Sequence, residues 1–176
     1  MGERVAARWL ERRVGPVVLR GPAAEKAERS DGGPATVLAA RHDGYARDHG
    51  IVHERRWQLD GAEGRLDGQD AFLRPATKAG RVRTQDVAIR FHLHPAIAVR
   101  SLEDRLELSS PLGEVWRFHA TGAEIRLEES VYFAGLTGAR RTDQIVLHLP
   151  VHDDVRVDWT FERLASAPGR APTAAA

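Results

Sequence analysis

The 176-residue sequence contains no cysteine. This absence excludes disulfide bonds, thiolate metal ligands and a cysteine nucleophile, and it leaves the redox compartment undetermined. No hydrophobic run approaches the roughly 18 apolar residues of a membrane-spanning helix. The N-terminal stretch MGERVAARWLERRVGP has charges throughout and no apolar segment, so it does not match a secretory signal. The localisation is therefore open, and the cytoplasm is the expectation for the chain as it stands.

The sequence also lacks an excess of charge of one sign. Arg and Lys total 26 against 25 Asp and Glu, which gives a net charge of +1. This balance predicts neither nucleic acid nor a membrane as a partner. Lys26 and Lys78 are the only lysines. The guanidinium fork of the many arginines suits carboxylates and sulfates, although a GC-rich coding bias explains most of the preference for arginine.

What the sequence does contain is two-residue alternation of apolar and polar side chains. VRVDWTFERL is the clearest case, with Val155, Val157, Trp159 and Phe161 on one side, as in a half-buried antiparallel strand. Similar runs separated by turn signals predict an all-β fold, a large antiparallel β-sandwich of about ten strands. The sandwich is expected over residues 21–164. Residues 1–20 would form an N-terminal segment with a short helix at 4–13, and 165–176 a disordered tail.

The stretch VAIRFHLHPAI places His92 and His94 one residue apart. On a strand both imidazoles would lie on one face, about 7 Å apart, as two metal ligands do. Three interpretations are open, in order of preference: a solvent-facing strand, a face that docks a domain or a glycan together with Arg90, and a metal site. A third metal ligand would have to come from His119, His148, His42 or a carboxylate.

The densest polar stretch, ARHDGYARDHGIVHERRW, holds His42 and Tyr45. A tyrosine beside a histidine can act as an acid/base pair, but a turn at Asp43-Gly44 that connects two strands is the preferred interpretation. Glu128 and Glu129 are adjacent on a predicted strand. They should therefore face opposite sides and cannot share one site.

Five motifs in order, HDGY…HGIVHERRW, IRFHLHP, EVWRF, LEESVYF and RRTDQIVL, resemble the C-terminal part of the heparinase II/III-like family, from about Arg20 to Leu164. The resemblance implies a polysaccharide lyase or lyase-like protein with an N-terminal α/α toroid and an antiparallel β-domain. Such proteins cleave uronic-acid-containing glycans by β-elimination. Tyr and His residues transfer the protons, and the substrate lies between the two domains.

The sequence departs from the family pattern in its catalytic half. The toroid is absent, as are the His- and Asp-rich segments that supply the family's divalent metal ligands. No residue is therefore assigned a catalytic or metal-binding role, and no cofactor is expected in this chain. The resemblance and the strand patterns give these candidates for a glycan-facing or domain-docking surface: His42, Tyr45, Arg90, His92, His94, Arg117 and His119.

These observations predict a truncated β-domain of a lyase that is inactive alone. Its expected partners are an acidic polysaccharide and a separately encoded α/α toroid, and open sheet edges would favour self-association. The alternative is a non-catalytic carbohydrate-binding or structural β-sandwich. Against that alternative, Trp57, Trp116 and Trp159 lie in strand patterns typical of a core, whereas binding modules expose aromatic rings to sugars.

Overall fold

A computed structural model describes residues 22–75, 84–133 and 138–165. These residues form two antiparallel sheets, which confirms the all-β prediction. The predicted helix at 4–13 and the C-terminal tail lie outside the described residues. The one helix within these ranges is a single turn, α1 (Ala46–His49), and no described helix is long and apolar enough to cross a membrane.

Eleven strands follow one another along the described chain, against the predicted ten or so. They are β1 (Glu25–Ser30), β2 (Thr36–His42), β3 (Val52–Asp60), β4 (Arg65–Leu73), β5 (Gln85–His92), β6 (Ala98–Ser101), β7 (Leu106–Ser109), β8 (Val115–Thr121), β9 (Glu124–Tyr132), β10 (Arg140–Val151) and β11 (Val155–Ala165). The large sheet has eight strands in the order β1-β2-β3-β4-β11-β8-β7-β6, and the small sheet has three in the order β5-β10-β9.

The core lies between the two sheets and follows the predicted alternation. Val157 and Trp159 of β11 are buried, whereas Arg156 and Asp158 between them are exposed. Phe91 of the small sheet packs against Trp159 with a ring-centroid distance of 4.8 Å. The aromatic contact joins the sheets directly. Burial of each such side chain stabilises the fold by about 1.5–3 kcal/mol.

Gly68 of β4 allows Trp159 to lie flat across its neighbouring strand. The two residues are cross-strand partners, and a Cβ atom on Gly68 would lie 2.1 Å from Cζ2 of Trp159. Any other residue would therefore displace the indole. The position of the ring matters because its Nε1 donates a hydrogen bond to Asp70, two residues farther along β4, at 2.8 Å.

The sheets differ in width, and this difference leaves part of the large sheet open. Leu38, Trp57 and Gly68 are cross-strand neighbours on the side of the sheet that faces the core. Among the described residues, Leu38 of β2 is nevertheless 38% exposed and Leu59 of β3 is 51% exposed. The core-facing side of β2 and β3 thus extends past strand β5, the nearest edge of the small sheet.

Candidate functional site

A cleft of ≈ 500 Å³ lies where strand β5 passes over the open part of the large sheet. Strand β3 supplies its floor, α1 lies at one end, and the first six residues of β5 form its wall. We call it the β3–β5 cleft. Its lining residues are His42, Tyr45, His49, Ile51, His53, Arg55, Phe72, Gln85, Asp86, Val87, Ala88, Ile89 and Arg90.

A fully buried carboxylate, that of Asp70, lies beneath the floor of the β3–β5 cleft. Its Oδ1 accepts hydrogen bonds from His53 Nε2 and Arg55 Nε, each at 2.6 Å. Its Oδ2 accepts the bond from Trp159 Nε1. The strand register explains this convergence, because Asp70 pairs with Arg55 on one side and with Val157 on the other, in the core-facing set of each strand.

Asp70 is ionised at neutral pH in spite of its burial. Burial alone would raise the pKa of its carboxyl group, but the hydrogen bonds from His53, Arg55 and Trp159 stabilise the charged form more. The pKa of Asp70 consequently lies below its ordinary value. Asp70 can therefore hold the Arg55 guanidinium and the His53 ring in fixed positions at the surface of the cleft.

His42 and His53 extend this network to the end of β2. The backbone N–H of Gly44 donates to His42 Nδ1 at 3.2 Å, so this nitrogen carries a lone pair and the proton of a neutral ring lies on Nε2. His42 Nε2 lies 3.3 Å from His53 Nδ1, which must then accept. His53 Nε2 in turn donates to Asp70. The hydrogen bonds thus assign one tautomer to each ring.

The surroundings of His42 favour its neutral form. Partial burial lowers the pKa of His42, and the neighbouring His53 lowers it further, against an opposing effect of Asp43 and Glu25. All four ring nitrogens of His42 and His53 already have partners. In this arrangement neither ring therefore has a nitrogen free to accept a proton from a ligand.

Tyr45 lies at the mouth of the cleft, 47% exposed, with its ring edge-on to His42 at 5.2 Å between centroids. Asp43-Gly44 lies in a turn, where the carbonyl of Asp43 accepts the N–H of Ala46 at 2.8 Å. An acid/base role for His42 and Tyr45 stays a prediction, but the geometry gives these two residues a ring contact and not a hydrogen bond.

Arg55 is the cation on the floor of the cleft. Its Cζ lies 5.7 Å from the centroid of the Trp57 ring, in cation–π contact, and 26% of its side chain is exposed. Its Nε is bound to Asp70. Within residues 22–75, 84–133 and 138–165, neither of its terminal nitrogens has a hydrogen-bond acceptor.

Arg90 and His92 lie mainly on the outer face of the small sheet. Arg90 Nη1 donates to Glu128 at 2.9 Å, and His148 Nε2 lies 2.9 Å from the same carboxylate. These contacts, first His148 and then Arg90, lower the pKa of Glu128. His92 is bonded to the hydroxyl of Ser130 at 2.7 Å.

His94 does not continue the face on which His92 lies, because β5 ends at His92. His94 Nδ1 accepts the N–H of Ala96 at 3.1 Å, and its ring contacts Tyr132. In the described part of the chain, no group of three His, Cys, Asp or Glu side chains is arranged to hold a metal ion. These residues thus do not fit the divalent metal that the family resemblance implies.

Arg117 and His119 of β8 lie neither at the β3–β5 cleft nor on the small sheet, but on the outer face of the large sheet. Trp116 and Phe118 alternate with them and face the core, and Arg117 pairs with Glu162 of β11 at 3.3 Å. The seven predicted residues therefore do not form one surface. His42, Tyr45 and Arg90 border the β3–β5 cleft, and the other four lie elsewhere.

Sequence reasoning missed His49, His53, Arg55 and Asp70 as parts of the site. A signal was present, because the alternation that sets His53 and Arg55 on the side of Trp57 also makes them core-facing. Charged or titratable residues in such positions need a partner. The partner is Asp70 in RLDGQDAFL, at the core-facing position of the next strand.

The family model described as heparinase II/III-like, C-terminal, matches residues 3–160. The chain belongs to this family. The fold agrees with it: the heparan sulfate lyase HepC mutant from Pedobacter heparinus superposes with a TM-score of 0.61 at 13% identity, over 84% of this chain and 23% of that one. A heparinase III gene product with methylated lysines gives a TM-score of 0.62 at 12% identity, over 85% and 23%.

A curated relative of this heparinase II/III-like chain is FtsZ-localized protein C from Caulobacter vibrioides. It is 30% identical over 159 residues, which make up 85% of this chain and 27% of that protein. The chain thus spans about a quarter of the length of the proteins that it matches. At 12–14% identity, the likeness to the heparinase structures concerns the fold alone.

Proposed function

We propose that this chain is the β-domain of a polysaccharide lyase-like protein and that it contacts an acidic polysaccharide through the β3–β5 cleft. The observation that carries the proposal is Arg55 on the cleft floor, a partly exposed guanidinium whose two terminal nitrogens have no hydrogen-bond acceptor among the described residues. Arginine forms charge-assisted and often bidentate hydrogen bonds with carboxylate groups, which acidic polysaccharides carry. The names of the heparinase neighbours point to the same class of ligand.

The groups that carry out β-elimination belong, in this proposal, to another part of the protein. The histidines of the cleft floor are bonded to each other, to Gly44 and to Asp70. They are therefore poorly placed to take the proton that an elimination requires. The domain would bind and orient the glycan, while an α/α toroid, encoded separately or in the same protein, would supply the acid and the base.

Affinity electrophoresis of the pure chain tests this proposal. Gels that contain heparin, heparan sulfate or alginate should retard the chain, and a gel that contains neutral dextran should not. The same glycans, incubated with the chain, should give no increase in the ultraviolet absorbance of an unsaturated product. Equal mobility in all the gels would contradict glycan binding, and steady turnover would contradict the placement of the catalytic groups elsewhere.

The alternative from the sequence, a carbohydrate-binding module with no role in a lyase, makes the same binding prediction. Co-expression with the toroid of a family member distinguishes the two. A lyase domain should co-purify with the toroid and increase its turnover, whereas an independent module should do neither. Size-exclusion chromatography of the chain alone tests the predicted self-association, which a monomer at high concentration would contradict.

A further inference from the structure

We infer that Arg55 recognises a single carboxylate group of the ligand and that Asp70 positions it to do so. The inference rests on the proposed function. It adds that the recognised group is a carboxylate, that Arg55 binds it and that Asp70 positions Arg55. It assigns Asp70 a positioning role, because Asp70 is fully buried and does not reach the ligand.

The guanidinium of Arg55 can serve two partners at once. Arginine has five N–H donors in a planar fork. Asp70 takes the donor on Nε at 2.6 Å. The edge formed by the two terminal nitrogens is left without an acceptor among residues 22–75, 84–133 and 138–165. The N–H groups on this edge have the spacing to donate to both oxygens of a carboxylate at once.

Arg55 is held in place before a ligand binds. Its Nε bond to Asp70 and its contact with Trp57 both hold the guanidinium at the end of the side chain. Asp70 is fixed in turn by His53 and by the buried Trp159. A side chain that is ordered in advance loses less conformational entropy on binding.

The positive charges that line the cleft are largely balanced by negative ones. Asp70 offsets the charge of Arg55, His42 is neutral at pH 7, and Arg90 is committed to Glu128. Asp86 adds a negative charge to the wall. The cleft therefore has no excess of positive charge to attract a densely sulfated chain. Its geometry favours one planar carboxylate over many sulfates.

Polygalacturonate and its methyl ester provide a test on the unaltered chain. They share one sugar backbone, but the ester lacks the carboxylate charge. Polygalacturonate should retard the full chain in affinity electrophoresis, and highly methylated pectin should retard it at least tenfold less. Dextran sulfate, which carries sulfate and no carboxylate, should retard it weakly. Equal retardation by the acid and its ester would overturn the inference.

Variants at adjacent positions then assign the residue. R55Q should lower the affinity for polygalacturonate at least tenfold, and R55K nearly as much, because lysine keeps the charge but loses the fork. R56Q is the matched control, since Arg56 lies next in sequence on the opposite face of β3. The R56Q variant should bind polygalacturonate as the unaltered chain does. Near-ultraviolet circular dichroism checks that each variant keeps its tryptophan packing.

The outcomes separate this inference from the proposed function. If no acidic polysaccharide retards the unaltered chain, the proposed function fails. If polygalacturonate retards it and folded R55Q and R55K bind as well as R56Q, only the role of Arg55 fails. If R55Q affects binding of dextran sulfate but not of polygalacturonate, the assignment of a carboxylate is wrong.

Discussion

Two carboxylates of this protein have nearly the same partners and very different surroundings. Asp70 accepts hydrogen bonds from Arg55 and His53, and Glu128 accepts them from Arg90 and His148. Asp70 lies between the sheets with no exposed surface, whereas the side chain of Glu128 is 33% exposed on the outer face of the small sheet. The same pair of partners thus serves a buried network in one place and a surface ion pair in the other.

The difference shows what burial does to such a group. Water and salt screen the exposed pair, so little is lost when one partner is removed. In the core, each partner of Asp70 compensates a charge that has been taken out of water, and removal of one leaves the others unpaired. Asp70 should therefore contribute to both the stability of the sandwich and the shape of the cleft, and Glu128 to neither.

The replacement of Asp70 by Asn should have the largest effect on stability. Asp70→Asn keeps the shape but removes the charge that His53, Arg55 and Trp159 share. We expect a loss of about 3 kcal/mol in the free energy of unfolding, measured by urea denaturation with tryptophan fluorescence. A loss no greater than that of Glu128→Gln would show that the network is not stabilising.

A methyl group at Gly68 should disturb the same network from the other side. In Gly68→Ala the new Cβ meets the ring of Trp159, which must move away from Asp70. Overpacking of this kind costs about 1–3 kcal/mol, again by urea denaturation. Gly61→Ala is the matched control, because a Cβ at Gly61 meets no atom within 4 Å, and its stability should hardly change.

His42, at the outer end of the Asp70 network, should make the stability of the fold depend on pH. The fold lowers the pKa of His42. At a pH between this lowered pKa and the ordinary pKa of histidine, His42 is protonated in the unfolded chain but not in the folded chain. His42 therefore costs stability as the pH falls below about 6.5. Between pH 7 and 5.5, His42→Gln should lose less thermal stability than the unaltered chain.

His152→Gln is the control for this measurement, since His152 is exposed in the turn between β10 and β11. It should lose as much stability over this pH range as the unaltered chain. A His42→Gln curve parallel to that of the control would mean that His42 titrates as it does in the unfolded chain.

The smallest effect is expected at the surface carboxylate. Glu128→Gln should leave the urea midpoint unchanged within error, because Arg90 and His148 regain water when the ion pair is lost. A large decrease, comparable with that of Asp70→Asn, would mean that the outer face of the small sheet is covered in solution.

The fold could be predicted from sequence because the alternation is strict where one side of a strand is buried, as at Val157 and Trp159. The partition into sheets could not. Strands β5 and β8 show the same pattern, yet they lie in different sheets, and this places Arg117 far from His92. Asp70 was missed for a related reason: a charge on the buried side contradicts the pattern, and its three donors come from two neighbouring strands.

The turn between β3 and β4 does not line the cleft, but it sets the register of β3 and so decides which side chains of β3 face the cleft. Residues 61–64 close this hairpin, with Gly64 at a φ of +63°. If an inserted residue shifted β3 by one position, every side chain of the strand would change sides. Arg56 would take the place of Arg55, but Glu54 would replace His53 beside the buried carboxylate of Asp70. The length of a loop outside the cleft thus determines whether a histidine or a second carboxylate lies beside Asp70.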